Sequence, residues 1–230
     1  QIKFIHSLKL KKNRTDFFVV EGQKIVNELM QSNFDIDAIY HTNDATVNHE
    51  KSQSVSEKEM FRMSHFKNAS NVLALVKKPS FSLHLDSNKL QIVLDDIKDP
   101  GNLGTIIRIA DWFGIDSIFC SENTVDAFNP KTIQSSMGSI FRANIKYINL
   151  EDELNSFDGQ ILGAQLEGES IYENKLPNKG IILIGSESHG ISSELNAFIT
   201  KSIKIPQFGN AESLNAAVAC GIICSEIKRN

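Results

Sequence analysis

Several things are scarce in this chain of 230 residues. There are only three cysteines, Cys120, Cys220 and Cys224, each among apolar or small neighbours. Their spacing does not supply the four ligands of a zinc site, so the expectation is buried thiols in a reducing compartment and no metal. No apolar run reaches the ~18 residues that a membrane-spanning helix needs, and no secretory leader is visible, which predicts a cytoplasmic protein with no membrane partner. The dinucleotide turn G-x-G-x-x-G is missing, as is the Gly-Lys-Ser/Thr of a phosphate-binding loop. No internal repeat or low-complexity tract occurs. The chain also lacks an excess of positive charge. Its formal charge is −4, which argues against a generic nucleic-acid coat.

A local patch can still bind RNA. Lys3, Lys9, Lys11, Lys12 and Arg14 all precede the first acid, Asp16. They read equally well as an RNA contact or as a solvated, frayed terminus.

Hydrophobic residues make up 41% of the chain, enough for a packed core. Short apolar runs alternate with amphipathic stretches, which predicts an α/β fold. In a first block, 17–22, 36–42 and 71–78 read as strands, with helices at 23–30 and within 55–64. The polar, serine-rich segment KKPSFSLHLDSN is a linker candidate. The expected division is therefore 1–77 as a small α/β unit, 78–88 as linker and 89–230 as a second domain. In that domain 89–97, 115–121, 143–148, 160–166, 180–185 and 201–206 read as strands. Helices are expected at 105–114, from Asn129-Pro130 to about Ile140, at 151–157, at 192–198 and from about Ser213 onward. Near-continuous apolar strands separated by helices imply a parallel sheet covered on both faces.

Three loops stand out, because open parallel sheets gather ligands at the carboxyl ends of their strands. The first is IKDPGNLGTIIR, 97–108. Pro100-Gly101 forces a turn, Thr105 can cap the following helix, and Arg108 lies among apolar residues, where a guanidinium usually has an anionic partner. The second is IGSESHGIS, 184–192. It is not a nucleophile elbow, and His189 reads more readily as a surface histidine than as a base. The third is IPQFGNAESLNAAVA, where Glu212, Ser213 and Asn215 crowd the expected mouth of an apolar helix. One cap would need only one of them.

Taken together, DPGNLGTIIRIADWFG, LIGSESHGIS and IPQFGNAESLNAAVA resemble the SpoU (TrmH-type) family of S-adenosylmethionine-dependent RNA ribose 2′-O-methyltransferases, over about residues 90–228. VVEGQKIVNEL resembles the small substrate-binding domain that many members carry at the N-terminus. The resemblance implies a C-terminal trefoil knot, against the general rarity of knots. It further implies a homodimer, S-adenosylmethionine as cofactor and RNA as substrate. Carried over position by position, it implies cofactor contacts at Gly185, Ile205 and Leu214, with Gly163, Ala164, Leu166, Pro206 and Gly209 nearby. The polar set at the reacting centre would be Asn102, Arg108, Glu187, Ser213 and Asn215. Charge, not the resemblance, makes Lys9, Lys11, Lys12 and Arg14 the expected RNA contacts. This chain departs from the pattern at Ser188, where the family usually has glycine.

The chemistry so implied needs no metal. A sulfonium donor is already activated, so the protein must align the ribose hydroxyl and relieve charge on its oxygen. Arg108 stays protonated, so it suits a phosphate or alkoxide better than it suits the part of a base, with Glu187 orienting it. The expected substrate is structured RNA, large-subunit rRNA first and tRNA second. A non-catalytic RNA-binding protein would not need this polar set, and a nicotinamide-dependent dehydrogenase would need the glycine turn that is missing.

Overall fold

The computed structural model describes residues 1–9, 16–173 and 175–229. Lys11, Lys12 and Arg14 of the basic stretch lie outside them. Elements alternate along the chain as the apolar pattern predicts. The first block contributes α1 (Ile2–Ser7), β1 (Phe17–Glu21), α2 (Gln23–Met30), β2 (Ile36–His41), β3 (Ser52–Ser54), α3 (Glu57–Met63) and β4 (Val72–Lys77). Its sheet has the order β1-β4-β2-β3, with β4 antiparallel to both neighbours and β3 parallel to β2. Two elements were not legible beforehand. α1 buries Ile5 fully against the α3 side of the sheet, so the start of the chain is not wholly frayed. β3 is short and polar, and carries no apolar signal at all.

The second block contributes β5 (Leu90–Leu94), α4 (Pro100–Trp112), β6 (Ser117–Ser121), α5 (Pro130–Ser136), β7 (Asn144–Ile148), α6 (Leu150–Asn155), β8 (Ile161–Ser170), β9 (Gly180–Ile184), α7 (Ser193–Asn196), β10 (Lys201–Lys204) and α8 (Ala216–Arg229). The six strands form one parallel sheet in the order β10-β8-β9-β5-β6-β7. The two-residue period of a strand sorts its side chains between two layers. Ile92, Leu94, Ile118, Cys120, Ile182 and Ile184 pack toward α4, α5 and α8. Val93, Phe119, Ile161, Ile181 and Leu183 pack toward α6 and α7. Both faces are therefore covered, as continuous apolar strands require. The segment 78–88 has no regular element, yet its Leu83 and Leu85 pack on the second layer.

Boundaries moved where a cap decided them. α4 starts at Pro100, not Thr105, because Asp99 is its N-cap and accepts the Asn102 N–H at 3.0 Å. Thr105 instead donates back to the Gly101 carbonyl inside the helix, at 2.8 Å. Asn129 does cap α5, as its Asn-Pro signature predicts. That helix stops at Ser136 because Met137 and Gly138 turn left-handed, and a 3-10 turn, Ser139–Phe141, follows. β8 runs beyond the expected 166, but its register against β10 jumps from Gly163 to Glu169 between Ser202 and Ile203. Residues 164–168 are therefore extruded from the ladder between β8 and β10.

Candidate active site

Parallel strands put all their carboxyl ends on one side of a sheet. The β5–α4 connection, the loop after β9 and the loop before α8 consequently share one edge. Asn102 joins them. Its Oδ1 accepts the Asn215 Nδ2–H at 2.8 Å, and its own Nδ2 donates to Glu187 Oε1. One amide thus ties together side chains 85 and 113 positions away along the chain.

Each of the three is held by its own backbone. Asn102 sits in the first turn of α4, behind the Asp99 cap. A hydrogen bond from Lys131 Nζ at 3.0 Å holds the Asp99 carboxyl below the usual carboxylate range. Desolvation opposes it, and the Asn102 N–H and the Lys131 charge add to the lowering. Asn215 immediately precedes α8, and its Oδ1 accepts the N–H groups of Ala217 and Val218 at 3.0 and 3.3 Å. That cap leaves Nδ2 free to reach Asn102. The helix therefore opens at Ala216 and not at Ser213. Glu212, Ser213 and Leu214 precede it and are exposed.

Glu187 belongs to a tight loop. Ser186 and Gly190 exchange both backbone hydrogen bonds, at 3.0 and 2.9 Å. A Cβ on Gly185 would lie 2.1 Å from the Gly190 carbonyl group, so only glycine fits there. Asp95, at the end of β5, accepts the Ser192 N–H at 2.8 Å and pins the loop's far end. Asp95 and Asp99 went unrecognised beforehand. For Asp95 the available signal was an acid directly after a buried strand, and for Asp99 an acid directly before a proline at a helix start. Ser188, the departure from the family pattern, turns to a local partner, its Oγ lying 2.8 Å from His189 Nδ1.

Arg108 is placed differently from the expectation. It is exposed on α4, on the stripe that also carries Thr105 and Trp112. Among the described residues no hydrogen bond or ion pair joins it to Glu187, whose carboxylate takes Asn102 instead. The expected orientation of Arg108 by Glu187 is not met within one chain, because six helical positions turn Asn102 and Arg108 to different faces.

The expected cofactor contacts lie at the ends of three adjacent strands. Gly163 is buried inside β8, where a Cβ would strike Ile199 at 2.5 Å, and Ala164 follows it. Leu166 lies on the extruded segment and is exposed. Gly185 follows β9. Ile205 and Pro206 follow β10 and are half-buried, while Gly209 is exposed. Gln207 Nε2 braces the last loop by donating to the carbonyls of Gly209 and Ala211 at 2.8 and 2.7 Å. Leu214 exposes 46% of its surface beside Asn215. Lys9, after α1, is exposed on the small sheet's side of the molecule. Among the described residues no group of three or more His, Cys, Asp or Glu could hold a metal ion, and no helix is long and apolar enough to cross a membrane.

Residues 89–225 match the SpoU rRNA methylase family, and residues 1–74 match the MRM3-like substrate-binding domain. The chain belongs to the SpoU rRNA methylase family. Among its SpoU relatives, the 23S rRNA (guanosine(2553)-2′-O)-methyltransferase RlmP of Bacillus subtilis is 28% identical, over 98% of this chain and 94% of that protein. A TrmH-family protein from Porphyromonas gingivalis superposes with a TM-score of 0.88 at 35% identity, over 100% and 97% of the two chains. The AdoMet-bound rRNA methyltransferase of Sinorhizobium meliloti superposes at 0.86 with 29% identity, over 99% and 94%.

Proposed function

We propose that this SpoU-family chain transfers a methyl group from S-adenosylmethionine to a ribose 2′-hydroxyl of structured RNA, with large-subunit rRNA as the substrate. The observation that carries this is the pair of hydrogen bonds of Asn102, one donated to Glu187 and one accepted from Asn215, which draws three glycine-flanked loops into one polar centre. The names of the SpoU relatives point the same way.

The lining fits the cofactor. Gly163, Ala164, Gly185, Ile205, Pro206 and Leu214 are apolar or glycine, and none carries a cation that a phosphate would call for. Such a surface offers backbone donors and acceptors to an adenosine and apolar contact to its ring. When bound, the sulfonium supplies an activated methyl group. What remains for the protein is alignment and charge. Asn102, fixed by two partners, and Asn215, fixed by its cap, present amide dipoles at a set position. Glu187 holds negative charge beside them, and Ser213 adds an exposed hydroxyl for the ribose. Arg108, without a partner among the described residues, holds an RNA phosphate and stabilises the emerging alkoxide.

The same reading takes 1–77 as the RNA-binding unit, 78–88 as linker and 89–230 as a domain with a trefoil knot. The extruded segment of β8 and the position of β10 outside β8 support the knot. Lys9, Lys11, Lys12 and Arg14 contact RNA. A homodimer is supported by a groove of 460 Å³ between α4 and α8, lined by Thr105, Ile109, Tyr172, Val218 and Ile222, with Val218 50% exposed. Apolar exposure of that kind marks an interface. Two copies joined there would bring each Arg108 close to the other chain. The location is cytoplasmic.

The test is a methyl-transfer assay with S-adenosylmethionine, bulk rRNA and bulk tRNA, followed by mapping of ribose methylation. Methylation of large-subunit rRNA at one ribose supports the reading. Methylation of tRNA alone moves the substrate to the second class, and no transfer to either RNA overturns the enzyme assignment.

A further inference from the structure

Arg142 makes three hydrogen bonds to one side and one to the other. Its Nε donates to Asp111 Oδ1 and Oδ2 at 3.2 and 3.0 Å, and its Nη2 donates to Oδ2 at 2.8 Å. Its Nη1 donates to Glu28 Oε2 at 2.7 Å. Asp111 stands near the end of α4, and Glu28 stands on α2, in the layer over the small sheet. One guanidinium therefore joins the first block of the chain to the helix whose opposite end carries Asn102.

Two further observations mark this junction as built. Aromatic rings cross it twice, Phe18 against Phe128 with centroids 4.5 Å apart and Phe34 against Phe141 at 5.3 Å. Gly138, left-handed at φ 95°, leaves the space that Glu28 occupies; a Cβ there would lie 2.8 Å from Glu28 Cγ. Partial burial works against ionisation of Asp111, yet hydrogen bonds from Arg142 and Ser139 and the Arg142 charge outweigh it and hold its carboxyl below the usual range. Hydrogen bonds to Asp111 first and then to Glu28, with the charges of both, push Arg142 above its ordinary value against some desolvation. Asp111 and Arg142 therefore both stay charged at neutral pH.

An ion pair with Arg142 48% and Glu28 35% exposed adds little adhesion. The aromatic contacts supply that. What a guanidinium held flat against a carboxylate adds is direction, because its donors form a rigid planar fork. We propose that Arg142 is a positioning residue: through Glu28 and Asp111 it fixes the angle between the small unit and α4, so that RNA held on that unit presents its target ribose to the Asn102 centre. This rests on the RNA-methylating reading above. α4 spans about 14 Å from Asn102 to Asp111, so a small rotation at the clasp displaces a distant RNA contact by ångströms. Misplacement of about 1 Å at a reacting centre costs on the order of a hundredfold in rate.

The experiment compares Glu28→Ala with Glu28→Gln, which keeps an acceptor for Nη1. Two substrates are used: a large-subunit rRNA transcript, and a short fragment around the methylated ribose, too small to reach the small unit. For Glu28→Ala the expected result is a fall of about tenfold or more in kcat on the transcript. KM for RNA, S-adenosylmethionine affinity by calorimetry and turnover of the fragment should all stay within about twofold, since none of them depends on the angle. Glu28→Gln should recover most of the transcript activity. The proposal is overturned by transcript turnover that survives Glu28→Ala, by equal loss on both substrates, or by a fall in cofactor affinity. Gly138→Ala, which displaces Glu28 from the other side, must act in the same direction. Absence of any methyl transfer by the parent protein would instead sink the functional reading itself.

Discussion

Asn215 Nδ2 lies 2.8 Å from Asn102 Oδ1, and the same Asn102 side chain donates to Glu187. A helix cap, a helix first turn and a strand-end loop are thereby made one unit. The centre is surface-accessible, so its bonds add little to stability and act mainly on geometry.

Asn102→Ala should separate the two roles. It leaves Glu187 and Asn215 without their shared partner but removes little buried area. Turnover should fall on the order of a hundredfold, while a thermal melt should move by less than the equivalent of about 1 kcal/mol. Unchanged turnover would remove Asn102 from the reacting centre.

Asn215 has a cap function and a donor function on different atoms. Asn215→Asp keeps the acceptor for Ala217 and Val218 but replaces the donor to Asn102 with a carboxylate oxygen. Asn215→Ala loses both. The melt should drop for Ala by about 1 kcal/mol and hold for Asp, while methyl transfer falls in both.

Gly185→Ala places a methyl group into the Gly190 backbone. Overpacking of this kind costs about 1–3 kcal/mol, here within the loop that carries Glu187. Affinity for S-adenosylmethionine, read by calorimetry, should weaken more than global stability. Wild-type affinity would contradict the tight loop.

Arg108→Ala removes an exposed cation with no partner among the described residues. Cofactor affinity and stability should be unchanged, and transfer to RNA should be lost. Turnover surviving within a few-fold would show that another group meets the RNA oxygen.

Glu21 is buried under Ser64 and His65. Burial pushes its carboxyl above the usual range, only partly offset by the Ser64 hydroxyl at 2.7 Å, the His65 N–H at 2.6 Å and the charge of Lys9. The folded state therefore binds this proton more tightly than the unfolded state does. Its contribution is full below the unfolded value of about 4.3 and is lost as pH rises through the raised folded value. Glu21→Gln should flatten that decline, as seen in denaturant midpoints measured from about pH 4 to 7.

The sequence alone determined the alternation of strands and helices, the two-faced parallel sheet and the identity of the three loops. It could do so because these depend on short-range patterns: period two in the strands, glycine and proline at the turns, Asn-Pro at a helix start. α1 and β3 escaped it, the first because its apolar content is only two turns deep, the second because it has none. Tertiary structure alone decided that Glu187 pairs with Asn102 and leaves Arg108 outward, that Asn215 rather than Ser213 opens the last helix, and that Arg142 clasps Glu28 to Asp111. Those outcomes depend on where side chains from distant segments point once the strands have set their register, and no local pattern of residues encodes that direction.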